Sequence, residues 1–341
     1  MTILRSGADL ITICDLFGIG IPQTPPHSVT GGLLHRMWRV ETERGTFAVK
    51  VLNSEIMSRP SAKLNYRISE KVAQAAYRNG IRAVTAQTVG DAPWVELDGQ
   101  YIMVFEWVTG HTLRSEQCTS EHVSKIGKTL LHIHSLDLVI ADLEPSVVSV
   151  IPDETWRSHI EKARHGIACW GLEYKFLQND VFNWSRLYEH ATESLGQQFV
   201  ISHRDLDRKN VIWTTENTPY LIDWESAGYV NPTVELIEVA LNWSRNHDGT
   251  SNKERFQATV EAYIGAGGTL HGKVSDAVYG SLGGMLGWLE YNMHRSLDED
   301  VFSAEDRELG HQEVLHTVHE LKRLTESVAD YARWVEEVAG A

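Results

Sequence analysis

The chain has 341 residues, of which 42% are hydrophobic and 23% charged, with a formal net charge of −15 at pH 7. Domains commonly contain about 100–200 residues, so the length indicates two lobes rather than one small core. This ordinary composition excludes a fibrous or largely disordered protein. The acidic excess disfavours a nucleic-acid partner, because phosphate-binding surfaces need clustered lysine and arginine, and it favours a cationic partner over an anionic one.

Cysteine usage and hydropathy indicate the compartment. Cys14, Cys118 and Cys169 form neither a paired framework nor a C-x-x-C site, which is typical of a reducing compartment, so we predict a cytoplasmic protein. The glycine-rich stretch around Gly280 and Gly284 falls short of the ~20 apolar residues that a membrane span needs. We therefore predict close helix packing there and no membrane partner. The sequence does not indicate an oligomeric state.

The first hundred or so residues predict a small antiparallel sheet with one main helix. A short helix is predicted over residues 7–17. Apolar and polar residues then alternate as in strands at residues 29–40, 46–53, 92–97 and 100–108. Asp98-Gly99, between the last two strands, is a strong hairpin signal. The main helix is predicted over residues 61–79, where Gly80 is a natural stop.

The chain after Gly110 is predicted to be mainly helical. Apolar residues recur at helical spacing from Val123 to His134. Asn231 followed by Pro232 is typical of the start of a further helix. Between these helical regions lie three short apolar strands, predicted at residues 199–202, 211–213 and 220–222. Each strand ends at or beside charged residues, as expected near a functional site.

One loop gives the strongest chemical signal in the sequence. Residues 203–210 read His-Arg-Asp-Leu-Asp-Arg-Lys-Asn and match the pattern H-R-D-L-x-x-x-N of kinase catalytic loops at every fixed position. Phosphoryl transfer needs a carboxylate that accepts the proton of the attacking hydroxyl, and oxygen ligands for Mg²⁺. We therefore predict Asp205 as the catalytic base and Asn210 as a metal ligand. His203 is predicted to support the loop by hydrogen bonding, because no further histidine or cysteine stands at metal-ligand spacing around it.

A second acidic position follows the loop. Asp223 lies thirteen residues after Asn210, at the end of a predicted strand. Mg²⁺ usually takes only one or two carboxylates together with phosphate oxygens, so Asp223 is the second predicted metal ligand. A lone aspartate or asparagine would more often be an ordinary loop residue. The joint match favours the site over that alternative.

The first lobe contributes a buried cation. Lys50 stands in the middle of the apolar strand Phe-Ala-Val-Lys-Val, where an unpaired ammonium would be costly. Nucleotide phosphates and a glutamate on the main helix would pair with it, and Glu70 is the predicted glutamate. The alternatives are exposure of Lys50 at a sheet edge and pairing with Glu55.

Two further segments are assigned to the nucleotide. Residues 106–108, Glu-Trp-Val, follow a strand and precede Gly110, so the backbone of Glu106 and Val108 is predicted to pair with adenine. No G-x-G-x-x-G precedes Lys50. The pair Gly31-Gly32 stands at the corresponding point, so the phosphate-covering loop is inferred there on a weak signal.

With these residues the chain resembles the aminoglycoside phosphotransferase and choline kinase-like family of small-molecule kinases, over roughly residues 28–245. The resemblance implies adenine contact by the backbone of Glu106 and Val108 and phosphate contact by Lys50. It also implies catalysis by Asp205 and metal binding by Asn210 and Asp223. Family members often continue with Gly-Asp-Pro-x-x-Asp-Leu-Ala. Here residues 230–237 read Val-Asn-Pro-Thr-Val-Glu-Leu-Ile, a departure that affects loop packing more than catalysis.

The expected architecture is an α+β, protein kinase-like two-lobed fold. Residues 1–108 form the predicted nucleotide-binding lobe, and residues 109–341 form a larger helical lobe with the catalytic loop and acceptor site. The expected cofactors are ATP, with GTP as an alternative, and Mg²⁺. A protein kinase is disfavoured, because Asp-Phe-Gly is replaced by Asp-Trp-Glu and only eight residues separate Asp223 from Pro232. A non-catalytic nucleotide-binding relative is disfavoured, because the chain retains Lys50, Asp205, Asn210 and Asp223 together.

The acceptor is a small molecule that the sequence does not identify. A cationic antibiotic of the aminoglycoside type, and a metabolite such as choline, a sugar or an amino-alcohol, both remain open. Tryptophans and carboxylates of the helical lobe are candidates for a cation pocket, although core packing and solvation explain them equally well. They are Trp156, Trp170, Trp184, Trp243, Trp288, Glu290, Asp298, Glu299 and Asp300.

Overall fold

A computed structural model describes residues 7–29, 35–141, 143, 150–165, 170, 177–196, 198–298 and 301–340. The chain folds into two compact units. The first unit consists of Met1–Cys118, His132–Glu144 and Val200–Tyr229, and the second of Thr119–Leu131, Pro145–Phe199 and Val230–Ala341. The lobe limits 1–108 and 109–341 stay a prediction.

The first unit contains a five-stranded antiparallel sheet. The strands are β1 His27–Val29, β2 Arg36–Thr42, β3 Gly45–Val51, β4 Val95–Leu97 and β5 Gln100–Glu106, in the order β1-β2-β3-β5-β4. In the register, Lys50 of β3 lies between Met37 of β2 and Met103 of β5. The antiparallel sheet predicted from the alternating segments is confirmed.

Helices cover both faces of this sheet. On one face, α1 Gly7–Phe17 buries Leu10 and Ile13 against alternate residues of β3, among them Val49 and Val51. On the other face lie α2 Ser54–Met57 and α3 Ala62–Arg78. Because side chains of a strand alternate between faces, Lys50 falls on the α3 face. The predicted helices over 7–17 and 61–79 are confirmed.

The first unit also includes two small sheets next to the predicted loop. They are built from β6 Val200–Ser202, β7 Val211–Trp213, β8 Pro219–Leu221 and β9 Gly228–Val230, paired as β6-β9 and β7-β8. The backbone of Arg82 and Val84, just after α3, bonds Leu221 of β8 at 2.8 Å on each side. The three predicted strands are confirmed. The strand β9 and the four-residue helix α2 were not predicted.

The second unit is helical over its described residues. Its helices are α5 Asp153–His165, α6 Leu177–Leu195, α7 Pro232–Ser244, α8 Lys253–Gly265, α9 Val274–Gly280, α10 Leu282–Leu297, α11 Ala304–Glu326 and α12 Val328–Ala339, and α4 Ser120–His134 belongs partly to each unit. Asn231 caps α7 through its side-chain oxygen, which accepts from Thr233 N at 3.0 Å and Val234 N at 3.2 Å. The predicted cap and α+β class are confirmed. Among the described helices, none is long and apolar enough to cross a membrane.

Candidate active site

Lys50 is a buried cation held by two carboxylates. Its exposed fraction is 5%, and its ammonium donates to Asp223 Oδ1 at 3.1 Å and to Glu225 Oε1. Burial alone would lower the pKa of the Lys50 ammonium, but Glu225 and Asp223 outweigh that effect and hold the pKa above its usual value. Lys50 is therefore charged, and exposure at a sheet edge is excluded.

The turn after β8 aims both carboxylates at the lysine. Asp223 has a left-handed backbone with φ 60°, an unusual conformation for a residue with a Cβ, and the 3-10 turn Trp224–Ser226 follows directly. Trp224 is buried, and its indole nitrogen donates to Leu221 O at 3.2 Å. This abrupt turn between strand and 3-10 helix directs residues 223 and 225 to the same ammonium.

Glu225 is fixed by two donors on the oxygen that does not face Lys50. Tyr66 of α3 donates its hydroxyl to Glu225 Oε2 at 3.0 Å, and His35 Nε2 lies 3.1 Å from the same oxygen. Asn53 N donates to His35 Nδ1 at 3.0 Å, so the ring proton is assigned to Nε2. Burial would raise the pKa of Glu225, but Lys50, and then His35, outweigh it and lower the pKa to about 2.

The predicted pairing of Lys50 with Glu70 is not formed, and this is a correction to the sequence interpretation. Glu70 Oε1 accepts from Ala86 N at 2.9 Å and from Gln74 Nε2 at 3.5 Å. Burial raises the pKa of Glu70 to about 8, against the smaller effects of these two hydrogen bonds. Glu70 faces the segment after α3 because that segment leaves a buried backbone N–H to satisfy. The alternative partner, Glu55, is exposed on α2.

Glu225, His35 and Tyr66 are the residues of this cluster that sequence reasoning did not identify. The only signal for Glu225 was its place two residues after Asp223. His35 and Tyr66 stand in no motif, and they are separated from Glu225 by 190 and 159 positions. Their convergence is visible only in the fold.

The loop 203–210 orders the candidate base. Asp207 accepts from Lys209 N at 2.9 Å and so caps the 3-10 turn that ends at Asn210. The Asn210 amide nitrogen donates to the Asp205 carbonyl at 2.8 Å and to Asp205 Oδ2 at 2.9 Å. Burial, and then Asp207, raise the pKa of Asp205, whereas Lys209 at 3.4 Å from Oδ2 opposes the rise.

His203 links the loop to the strand that leads into Asp223. Its Nε2 lies 3.0 Å from the carbonyl oxygen of Ile222, and its Nδ1 accepts from Asp205 N at 3.3 Å. The ring is fully buried and lies 4.5 Å, centroid to centroid, from the indole of Trp224. The imidazole therefore connects the backbone of Asp205 to that of Ile222 through its two nitrogens, which is consistent with the predicted supporting role.

Asn210 and Asp223 form a donor set that fits a small hard cation. Ile222 N donates to the Asn210 carbonyl at 2.9 Å, so Asp223, the next residue, lies beside the loop. Asn210 commits its amide nitrogen to Asp205, which leaves its amide oxygen as the atom able to ligate a cation. Asp223 has a side chain that is 39% exposed. One carboxylate, one amide oxygen and phosphate oxygens are the ligands that Mg²⁺ takes.

The segment after β5 presents backbone groups at the sheet edge. Trp107 N donates to Thr46 O of β3 at 3.0 Å. Because backbone groups of successive strand residues point to opposite sides, those of Glu106, the last residue of β5, face away from β3, and the adenine contacts of Glu106 and Val108 stay a prediction. Further on, the chain passes so close to β7 that a Cβ on Gly110 would lie 2.3 Å from Trp213 O. Gly31-Gly32, assigned to the phosphate-covering loop, lies outside the described residues.

In the second unit, core packing accounts for most of the tryptophans proposed for an acceptor pocket. Four of them are buried: Trp156, Trp170, Trp184 and Trp243. Trp288 is partly exposed and donates to Glu313 at 3.0 Å, and Glu290 accepts from His159 at 2.9 Å. Glu299 and Asp300 lie outside the described residues. The four buried tryptophans therefore belong to the core, and the location of the acceptor site stays a prediction.

Comparisons with known proteins bear on this geometry. The model of a phosphotransferase enzyme family, APH, matches residues 27–269. A spectinomycin phosphotransferase in complex with ADP and spectinomycin superposes with a TM-score of 0.72 at 14% identity, covering 93% of this chain and 98% of that one. No curated protein sequence matches the chain.

Two eukaryotic kinases are similar as well. A choline kinase from Cryptosporidium parvum gives a TM-score of 0.62 at 13% identity, covering 97% of this chain and 99% of that one. An ethanolamine kinase from Plasmodium vivax gives a TM-score of 0.59 at 12% identity, covering 94% of this chain and 91% of that one. These likenesses confirm the predicted protein kinase-like fold. Since the family model spans well over half of its length, the chain belongs to the aminoglycoside phosphotransferase and choline kinase-like family of small-molecule kinases and is a phosphotransferase with an alcohol group as acceptor.

Proposed function

We propose that this phosphotransferase moves the γ-phosphoryl group of ATP, with Mg²⁺, to a hydroxyl of a small cationic molecule. The observation that supports it most is that hydrogen bonds connect the proposed base, Asp205, to the proposed metal ligand Asn210 and to the backbone next to Asp223. Asn210 bonds Asp205 Oδ2 at 2.9 Å, and its carbonyl accepts from Ile222 N at 2.9 Å, one residue before Asp223. Kinase chemistry requires these three groups together.

Asp205 is the proposed catalytic base. Its carboxylate takes the proton of the acceptor hydroxyl while the oxygen forms its bond to the γ-phosphorus. The bond from that phosphorus to the β,γ-bridging oxygen breaks, and ADP leaves. The hydrogen bond from Asn210 holds the carboxylate in place. The raised pKa of Asp205, caused by burial and then Asp207, makes it a stronger base than an exposed aspartate.

Nucleotide and metal are held by the remaining residues of the first unit. The Lys50 ammonium binds the α- and β-phosphates, and the backbone of Glu106 and Val108 pairs with adenine. Asn210 and Asp223 would hold Mg²⁺, which when bound supplies charge neutralisation to the phosphates. These roles are supported by the burial and charge of Lys50 and by the oxygen donors described above.

The acceptor class follows from charge and from the similar proteins. The chain has a net charge of −15, and the similar structures include kinases named for spectinomycin, choline and ethanolamine, which are all amines or ammonium compounds. An aminoglycoside-type antibiotic is the first candidate. A metabolite kinase acting on choline, an amino-alcohol or a sugar is the second, favoured by the number of choline and ethanolamine kinases among the similar structures.

The test is release of ADP from ATP and Mg²⁺ against a panel of aminoglycosides, spectinomycin, choline, amino-alcohols and sugars, repeated with GTP. Asp205→Asn is the matched control, because it keeps size and loses the base. Loss of a general base typically lowers turnover by about 10²–10⁴-fold. Stimulation by one compound that disappears in Asp205→Asn identifies the acceptor, whereas equal turnover in the variant refutes Asp205 as the base.

A further inference from the structure

Two cations, the Lys50 ammonium and the proposed Mg²⁺, need the carboxylate of Asp223, and Glu225 provides a second carboxylate for the lysine. In the structure Asp223 Oδ1 lies 3.1 Å from the Lys50 ammonium. The proposed function, on which this inference rests, assigns the same carboxylate to Mg²⁺. A cation bound there would compete with the lysine for the carboxylate, and an ammonium with an exposed fraction of 5% cannot be left unpaired without a large cost. Besides the phosphates of a bound nucleotide, a protein carboxylate that the metal does not occupy would keep Lys50 paired and in place, and Glu225 already contacts it.

Glu70, the residue on α3 that sequence reasoning assigned to this task, is unsuited to it. Its Oε1 is bound to Ala86 N at 2.9 Å, and its burial favours the neutral acid near neutral pH. A neutral carboxyl that satisfies a backbone N–H cannot neutralise an ammonium. Moving it to Lys50 would leave the Ala86 N–H buried and unpaired.

Glu225 has the charge and the support that Glu70 lacks. Its Oε1 accepts from Lys50, while its Oε2 accepts from the Tyr66 hydroxyl at 3.0 Å and faces His35 Nε2 at 3.1 Å. His35 is itself oriented by Asn53 N at 3.0 Å. Each carboxylate oxygen thus has its own donors, and the side chain is held from two separate elements.

We propose that Glu225, fixed by Tyr66 and His35, is the positioning residue that keeps Lys50 in place for the nucleotide phosphates, and that Glu70 has no part in this. Helix α3 then contacts the lysine site through the Tyr66 hydroxyl, one turn before Glu70. Asp223 is released for the cation while Glu225 remains with Lys50. In this arrangement Asp223 would bind Mg²⁺, and Glu225 pairs with the Lys50 ammonium.

The experiment compares Glu225→Gln with Glu70→Gln, two isosteric changes on residues that are both candidates for the lysine. Binding of ADP and of ATP is measured directly by calorimetry over a series of Mg²⁺ concentrations, and the KM for ATP and kcat are measured with any acceptor found above. A charge-assisted hydrogen bond typically corresponds to about tenfold or more in affinity. Glu225→Gln is therefore expected to weaken nucleotide binding at least tenfold, whereas Glu70→Gln stays within about twofold.

Two more measurements separate positioning from metal ligation and from misfolding. The Mg²⁺ concentration for half-maximal nucleotide binding should be unchanged in Glu225→Gln, and a large increase would show that Glu225 ligates the metal instead. Tyr66→Phe removes one donor without touching charge and should weaken nucleotide binding severalfold. If Glu225→Gln fails to fold, Tyr66→Phe decides the question.

The outcomes distinguish this inference from the proposed function. Weak binding in Glu70→Gln together with normal binding in Glu225→Gln and Tyr66→Phe overturns the inference and leaves the kinase assignment intact. Nucleotide binding that shows the expected pattern, with no acceptor phosphorylated, supports the inference and counts against the proposed acceptor class. Wild-type protein that binds no nucleotide overturns both.

Discussion

The charge state of Glu70 gives a prediction whose size can be worked out from the structure. Burial raises the pKa of Glu70 to about 8 in the folded chain, from an ordinary value of 4.5. Between these two values the folded state binds a proton that the unfolded state has lost. The stability from this group is complete below the unfolded pKa and is lost as the pH rises through the folded pKa, with a slope of about 1.4 kcal/mol per pH unit.

Glu70→Gln removes this titration while keeping the shape of the neutral acid and an acceptor oxygen for Ala86 N. The free energy of unfolding of the variant, relative to wild type, should therefore rise by about 2 to 3 kcal/mol between pH 6 and pH 9. Because the difference starts at the unfolded pKa of 4.5, the variant should already be more stable at pH 6, by about 2 kcal/mol, and the difference should be larger at pH 9. Deprotonated Glu70 would be an uncompensated buried charge, which is the physical source of the difference.

The assay is urea unfolding at pH 6 and pH 9, followed by tryptophan fluorescence, in wild type and Glu70→Gln. The difference between the two proteins cancels every other group that titrates in this range. Glu55→Gln is the matched control, because it makes the same isosteric change at an exposed glutamate on the neighbouring helix. Equal differences at the two pH values for Glu70→Gln would refute the neutral, buried carboxyl.

Three other substitutions test the site and its frame. Asp223→Ala should remove the Mg²⁺ dependence of ADP binding, and calorimetry with and without Mg²⁺ showing unchanged dependence would contradict a metal-ligand role. Gly110→Ala should lower the free energy of unfolding by about 1 to 3 kcal/mol, because its Cβ would lie 2.3 Å from Trp213 O; a melting temperature equal to that of wild type would show that the contact relaxes without cost. Asn231→Ala should cost about 1 kcal/mol through loss of two N-cap hydrogen bonds, while Asn231→Asp keeps the acceptor and should cost less in the same unfolding assay.

The fold was predictable wherever a segment was long enough to show a period. Alternation gave β3 and β5, and helical spacing gave α3. Asn231 followed by Pro232 marked the start of α7 to the residue, because a cap side chain and a proline act locally. The three-residue strands β6, β7 and β8 were recognised as apolar runs beside charged residues, not from a period. The strand β9 and the helix α2 offered neither signal, and they form because β9 pairs with β6 and Met57 of α2 packs into the core.

The site was predictable where its geometry is local in sequence. Asp205 and Asn210 lie on one loop, and their hydrogen bond follows from the short spacing between them. The partner of Lys50 was not predictable in this way, because it depends on which of several carboxylates the fold brings to β3. Helix position suggested Glu70, but the sequence does not show that the Ala86 N–H would lie buried beside it. That need for a hydrogen bond, outside any motif, decided the orientation of Glu70.

The left-handed backbone at Asp223 brings the Asp-Trp-Glu segment to Lys50, which lies far from it in the sequence. With φ 60°, Asp223 is held in a conformation that costs a residue with a Cβ roughly 1 kcal/mol or more. The conformation turns the chain from β8 into the 3-10 turn, and so brings residues 223 and 225 to one ammonium. The turn that begins at Asp223 therefore brings both carboxylates of the Asp-Trp-Glu segment to Lys50, and in the proposed function Asp223 would serve the metal while Glu225 stays with Lys50.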